Sequence, residues 1–272
     1  MVNFFPLENK VILVTGAFGL IGKTISAGFL KQGAKVILAD INLSNLSAIE
    51  KDLKQFGKKN YLIVQLDITK QKSCEGVIKA AVAKFKKIDV LINNAALDAK
   101  FDKKNISKVN QSRFENFPIE AFKKSLEVNV TGLIIMTQAI CKQMLKQGFG
   151  NIINVASTYS LVAPNQSLYD FGDGKMNYKP VDYVVTKSFI PNFTRYLATF
   201  YVKDNIRCNA IAPHGIFNDH DEKFVTNFSK LSPLGRMADK NEMIGPFTFL
   251  ASDASSYMTG SVLVVDGGWT AW

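Results

Sequence analysis

Tyr183 precedes Lys187 by four residues in the stretch DYVVTKS, residues 182–188. Such a pair suits proton exchange with an alcohol or carbonyl oxygen. A free phenol has a pKa of about 10, so it is a poor base at neutral pH. Bringing it near 7 needs about 4 kcal/mol of preference for the phenolate. An ammonium one helical turn away supplies positive charge in that direction. Of the eight tyrosines, only Tyr183 has a basic residue at this forward spacing. With 33 lysines and arginines in 272 residues, chance yields about one such pair, so the surroundings must decide.

A second candidate lies near the N-terminus, in TGAFGLIGK, residues 15–23. Gly16, Gly19 and Gly22 bracket a turn from an apolar strand into a helical pattern. Such a turn lets backbone approach a pyrophosphate, which sits on the free N–H groups of the helix N-terminus. Asp40 closes the next strand pattern and is the residue expected to bind the adenosine ribose hydroxyls. An added 2′-phosphate would meet its carboxylate. At about 5 Å and an effective dielectric of about 20, each unit of like charge costs roughly 3 kcal/mol. Ala17, Phe18, Leu20 and Ile21 offer no arginine to receive that phosphate, so NAD is expected over NADP. The alternative for Asp40 is a helix N-terminal charge before INLSNLSAIE.

The elements that must position these residues are visible in the apolar pattern. Short Val- and Ile-rich runs fall at 10–15, 35–40, 62–67, 90–95, 151–157, 207–212 and 261–266. Continuous apolar strands of this kind belong to a parallel sheet covered on both faces. Helical patterns fall between them at about 21–32, 43–56, 70–86, 119–147, 183–203 and 240–251. The alternation predicts an α/β fold, a doubly wound parallel seven-stranded sheet in one domain spanning 1–272. Two connections, 97–118 and 158–182, are longer than simple loops. Both follow strand C-terminal ends, where open α/β sheets bind ligands, and are read as substrate-loop insertions.

Composition narrows the classes further. Hydrophobic residues make up 47% of the chain and no apolar run approaches membrane-spanning length, so no membrane partner is expected. The opening MVNFFPLENK lacks a secretory layout. Cys74, Cys141 and Cys208 are odd in number and have no metal-type spacing, which predicts a reduced, cytoplasmic protein without a catalytic metal. His214 and His220 suggest neither a triad nor a metal site, and Asp170 and Asp173 are read as a polar loop. The net charge of +10 comes from scattered lysines, including a run at 100–108. It reads as a solvated surface with no nucleic-acid partner.

These motifs, in this order, resemble the short-chain dehydrogenase/reductase family over nearly the whole chain. TGAFGLIG resembles its nucleotide turn, with Leu20 and Ile21 inside it. LDIT (66–69) resembles its adenine-contacting strand end, with Asp67 the contact and Ile68 beside it. NNAA (93–96) resembles the motif that places Asn94 and Ala95 against the cofactor. EVNVTG (127–132), NIINVAS (151–157) and YVVTK (183–187) supply Asn129, Ser157, Tyr183 and Lys187 at the positions of its catalytic residues. IAPHGI (211–216) resembles the late cofactor loop, with Pro213 and Ile216, and VVDGGW (264–269) the last strand. The resemblance implies that Tyr183 exchanges the proton and that Ser157 hydrogen-bonds the substrate oxygen. Lys187 would also bind the nicotinamide ribose, and Asn129 would hold a water leading to solvent. Family surfaces on the long helices at 119–147 and 183–203 imply a homo-oligomer, expected as a tetramer. The ending WTAW suits such contacts, or packing of Trp269 and Trp272 within the chain.

The departures carry information. Leu20 replaces a usual glycine, a spacing that resembles extended members acting on nucleotide sugars. Ala96 and His214 also stand where glycine is usual. Ser157 and Tyr183 are 26 positions apart, more than in most relatives. That layout and the ending VVDGGWTAW resemble a subgroup linked to flagellin modification and surface-polysaccharide sugar synthesis. The expectation is an NAD-dependent oxidoreductase acting on a polar, sugar-derived alcohol or ketone, with sugars and nucleotide sugars as the candidate class. The alternatives are a 3-oxoacyl-carrier-protein reductase, which Asp40 disfavours, and a catalytically silent NAD-binding regulator, which would have lost the catalytic set.

Overall fold

The computed structural model describes residue 5 and residues 7–44, 46–98, 112–170 and 176–272. Parts of the two long connections, the lysine run at 100–108 and Asp173 therefore lie outside the described residues. Seven parallel strands form one sheet: β1 (Val11–Thr15), β2 (Lys35–Asp40), β3 (Tyr61–Gln65), β4 (Val90–Asn93), β5 (Gly150–Val155), β6 (Ile206–Pro213) and β7 (Val262–Val265). Their spatial order is β3-β2-β1-β4-β5-β6-β7. The order reverses between β1 and β4, and the crevice at that switch point is where such sheets take ligands.

The alternation of side chains along the strands explains the continuous apolar runs. In β1, Ile12 and Val14 join the core on one face while Val11 and Leu13 join the core on the other. Val36 and Leu38 of β2 divide from Ile37 and Ala39 in the same way. The first layer packs under α1 (Leu20–Lys31), α2 (Leu46–Leu53) and α9 (Ile244–Ala251). The second packs under α3 (Gln71–Phe85), α5 (Leu133–Gln147) and α7 (Ile190–Phe200). Both faces of β1 and β2 are thus dry, which is why no polar residue interrupts Val11–Val14 or Val36–Ala39.

The long helical pattern at 119–147 is interrupted. α4 (Ile119–Leu126) passes into a π-helical turn, Glu127–Gly132, before α5 begins. Such wide turns recur at functional sites, and Asn129 sits inside this one. The pattern expected from 183 begins at Val181 as α6 (Val181–Ser188), followed directly by α7. β4 and β5 end earlier than their apolar runs because Asn94 and Ser157 turn away to other partners. Among the described residues no helix is long and apolar enough to cross a membrane.

One helix, α8 (Glu222–Leu231), was absent from the pattern reading. Asp221 caps it by accepting from the Lys223 N–H at 2.9 Å, and Phe224 and Phe228 bury themselves four residues apart. It anchors a satellite core with Leu168, Tyr169, Met237 and Trp269. The described parts of the segment after β5 hold short helical turns at Thr158–Ser160 and Gln166–Tyr169 and a bridge from Asp170 to Met176. His214 packs into the edge of this core, 4.4 Å from Trp269 and 5.2 Å from Phe228 between ring centres. Trp269 thus packs within the chain, whereas Trp272 is 82% exposed.

Two predictions follow from burial. Cys74, Cys141 and Cys208 are all buried free thiols, and burial pushes the first two up to about 11. A thiol reagent at pH 8 should label none of them within minutes in the native protein and all three after denaturation; prompt native labelling would contradict the packing. Burial also lowers His214 to about 4. The fold rejects the protonated ring, so its contribution to stability is complete above about pH 6.5 and falls as pH drops toward 4. The loss approaches about 3 kcal/mol. His220 is shifted the same way. Denaturant unfolding across this window should show a shallower pH slope for His214→Phe than for the wild type.

Candidate active site

The glycine turn is fastened to the neighbouring strand across the switch point. The Asn94 amide donates to the carbonyls of Thr15 and Gly16, each at 3.0 Å. The N–H groups of Asn94 and Ala95 donate in return to Thr15 Oγ1 at 3.0 and 3.1 Å. Two glycines are demanded sterically. Gly16 has φ of +62° and a Cβ there would stand 2.8 Å from Ala95 Cα; at Gly22 it would strike the Gly16 carbonyl. Gly19 instead begins α1 without side-chain capping, and no acidic residue occupies the first turn. Free helix N–H groups without a competing carboxylate fit a dinucleotide pyrophosphate. Leu20 and Ile21 form the start of that helix.

Asp40 reaches back to this turn. One carboxylate oxygen accepts from the Phe18 N–H at 2.9 Å and the other from the Asn42 N–H at 3.0 Å. It therefore shapes the nucleotide turn rather than capping a helix. Asp67 is turned toward Thr69, accepting from its N–H at 2.9 Å and its hydroxyl at 2.7 Å, and these bonds hold its carboxyl below the usual range. The Ile68 side chain is buried in the second core layer. On the far side of the crevice, Pro213 ends β6 and Ile216 bridges to Ala238.

Tyr183, Ser157, Lys187 and Asn129 converge beside this crevice. α6 carries Tyr183 and Lys187 one turn apart, and the Lys187 Nζ donates to the Val155 carbonyl at 2.7 Å. Only 5% of Lys187 is exposed. Burial brings it down to about 8, with Asp98 opposing and Lys179 adding to the shift. Ser157 caps the turn after β5, accepting from the Tyr159 N–H at 3.2 Å, and lies close enough to Tyr183 to lower its pKa. Burial raises the Tyr183 phenol well above its usual value, and Asp98 raises it further; Ser157 lowers it. The chain's own groups therefore favour the protonated phenol, and the expected acidification calls on a bound dinucleotide's charge as well as that of Lys187.

Asn129 is buried in the π turn. Its amide oxygen accepts from the Leu97 N–H at 2.7 Å, and its NH2 donates to the Leu97 carbonyl and to Thr186 Oγ1, each at 3.0 Å. Thr186 in turn donates to the Tyr183 carbonyl at 3.3 Å. The asparagine thus ties the connection after β4 to the helix that bears the phenol. Pattern reading missed two further pairs. Asn93 and Asn154, paired in register between β4 and β5, join where the Asn93 NH2 donates to Asn154 Oδ1 at 2.9 Å, and extend to Thr137 and Thr194. Lys179 and Asp98 form an ion pair at 2.7 Å against the Tyr183 ring. A lysine four residues before Tyr183 was the available signal.

Comparison with known proteins agrees with this arrangement. A family model described as enoyl-(acyl carrier protein) reductase matches residues 16–270. A post-translational flagellin modification protein A from Campylobacter coli is 34% identical over 97% of this chain and 99% of its own length. An NAD-dependent glycerol dehydrogenase from Listeria innocua is 32% identical over 98% and 96%. A solved short chain dehydrogenase from Leptospira borgpetersenii with bound NAD+ superposes with a TM-score of 0.83, 29% identity, and coverage of 99% of this chain and 96% of that one. The chain belongs to the short-chain dehydrogenase/reductase family of NAD(P)-dependent oxidoreductases.

Proposed function

We propose that this protein interconverts a polar, sugar-derived alcohol and its ketone with NAD as the hydride carrier. The observation that carries the proposal is Tyr183 and Lys187 one turn apart on α6, with the Lys187 Nζ 5.9 Å from the Tyr183 ring and anchored on the Val155 carbonyl of β5 beside Ser157. When bound, the nicotinamide accepts or delivers the hydride and, when oxidised, adds positive charge near the phenol. Tyr183 Oη gives its proton to the carbonyl oxygen in reduction and takes it from the alcohol in oxidation. The raised pKa of the phenol suits the first direction directly. Ser157 Oγ fixes the oxygen that receives that proton. Lys187 favours the phenolate and is placed to meet ribose hydroxyls. Asn129 stands in the widened turn, where a water linking Lys187 to solvent would be held.

Gly16, Gly19, Gly22, Leu20 and Ile21 would hold the pyrophosphate, Asp40 the adenosine ribose, Asp67 and Ile68 the adenine side, and Asn94, Ala95, Pro213 and Ile216 the nicotinamide half. The glycerol dehydrogenase and flagellin modification relatives support a polar substrate. Exposed Tyr196, Phe200 and Val202 support a homo-oligomer, and the three buried thiols support a reducing, cytoplasmic setting.

A panel of polyols, sugars and nucleotide sugars with NAD+ should identify the substrate by NADH formation. Tyr183→Phe should lower kcat on it by roughly 100-fold to 10,000-fold with NADH binding retained; undiminished turnover would remove Tyr183 from the mechanism. NAD+ should be preferred to NADP+, and Asp40→Ser should narrow that preference by roughly tenfold or more. A wild-type preference for NADP+ would overturn the role given to Asp40.

A further inference from the structure

Tyr183 has a lysine four residues behind it as well as four ahead, in KPVDYVVTK. Lys179 lies outside α6, at the end of the long insertion. Yet its Nζ is 3.9 Å from the centroid of the Tyr183 ring, closer than the 5.9 Å of Lys187. The position is built rather than incidental. The Lys179 main-chain N–H donates to Gln166 Oε1 at 3.1 Å, Pro180 opens α6 immediately after it, and the ammonium pairs with Asp98. Lys179 is only 9% exposed, whereas the Asp98 side chain is about half exposed, so the pair has one dry and one wet end. A cation over a ring face is attracted by the ring's electrons, most strongly where water is excluded. The attraction grows when the ring becomes a phenolate.

We propose that Lys179 is a positioning residue for Tyr183: a second ammonium, held over the ring by Asp98, that sets the pH at which the phenol ionises. The proposal rests on Tyr183 being the acid–base group. Among the described residues, the charged and titratable groups facing Tyr183 come from four places. Lys187 and Asp182 share its helix, and Asp182 is bonded to Ser125 of α4. Asp98 follows β4 and Lys179 precedes α6. Tyr159 and Tyr169 come from the segment after β5, their hydroxyls 3.0 Å apart. Burial raises the phenol most and Asp98 raises it further, whereas an ammonium 3.9 Å over the ring favours the phenolate, so the two members of the ion pair act on it in opposite senses. The insertion that separates Ser157 from Tyr183 by 26 positions thereby delivers a charge to the catalytic phenol.

The opposite senses make the test. The pH profile of kcat/KM for alcohol oxidation should be measured for wild type, Lys179→Met, Lys179→Arg and Asp98→Asn. The acid limb should move up by about one pH unit in Lys179→Met, return toward wild type in Lys179→Arg, and move down by roughly half a unit in Asp98→Asn. An independent readout needs no substrate: the ultraviolet phenolate band of the NAD+-bound protein, taken as each protein minus the same protein carrying Tyr183→Phe. Tyr183 should ionise at lowest pH in Asp98→Asn, then in wild type. If Lys179→Met does not fold, Asp98→Asn and Lys179→Arg decide alone. Unmoved limbs, or limbs moving together, with Tyr183→Phe inactive would overturn the role of Lys179 and leave that of Tyr183. Activity surviving Tyr183→Phe would instead remove the acid–base assignment itself.

Discussion

A single buried ammonium organises the reactive end of this molecule. Lys187 is almost wholly removed from water, and its charge is met by the carbonyl of Val155 at the end of β5. An isolated charge in such a place costs several kcal/mol, so the helix that carries it is held where that carbonyl can answer it. Because α6 is held there, Tyr183 falls one turn back, against Ser157 from the same strand end. The lysine therefore fixes a distance as well as supplying a charge. Its own pKa, down to about 8, records how much solvation it has surrendered.

The crevice opposite is held by the same economy of strand ends. Thr15 and Asn94 come from strands adjacent in space but far apart in sequence, and each offers both side chain and main chain to the other. The glycine turn is thus braced from β4 before anything binds to it. The bracing also explains Gly22, whose missing side chain leaves room for the Gly16 carbonyl. Asp40 completes the frame from β2 by bonding to the turn at Phe18.

Much of this was legible in the chain itself. The seven strands were visible because a sheet covered on both faces leaves unbroken apolar runs, and Tyr183, Lys187, Ser157 and Asn129 stood out by type and order. What escaped reading was set by distance through space. α8 was hidden because its two buried phenylalanines face a satellite core assembled from the insertion and the tail, not the main sheet. The π turn leaves no mark in an apolar period that continues on both sides of it. Asn93 and Asn154 acquire meaning only once strand register pairs them. The raised pKa of Tyr183 comes from burial first and then from Asp98, which belongs to a connection whose position no periodicity specifies.

The packing of Trp269 has an optical consequence. The protein contains two tryptophans, one stacked on Phe228 and beside His214, the other at the exposed C-terminal residue. Their emission is therefore separable: external quenchers reach Trp272 and spare Trp269. The shielded indole touches the residue that follows Pro213 in the loop beyond β6, so any movement of that loop is written into the intrinsic fluorescence without a label.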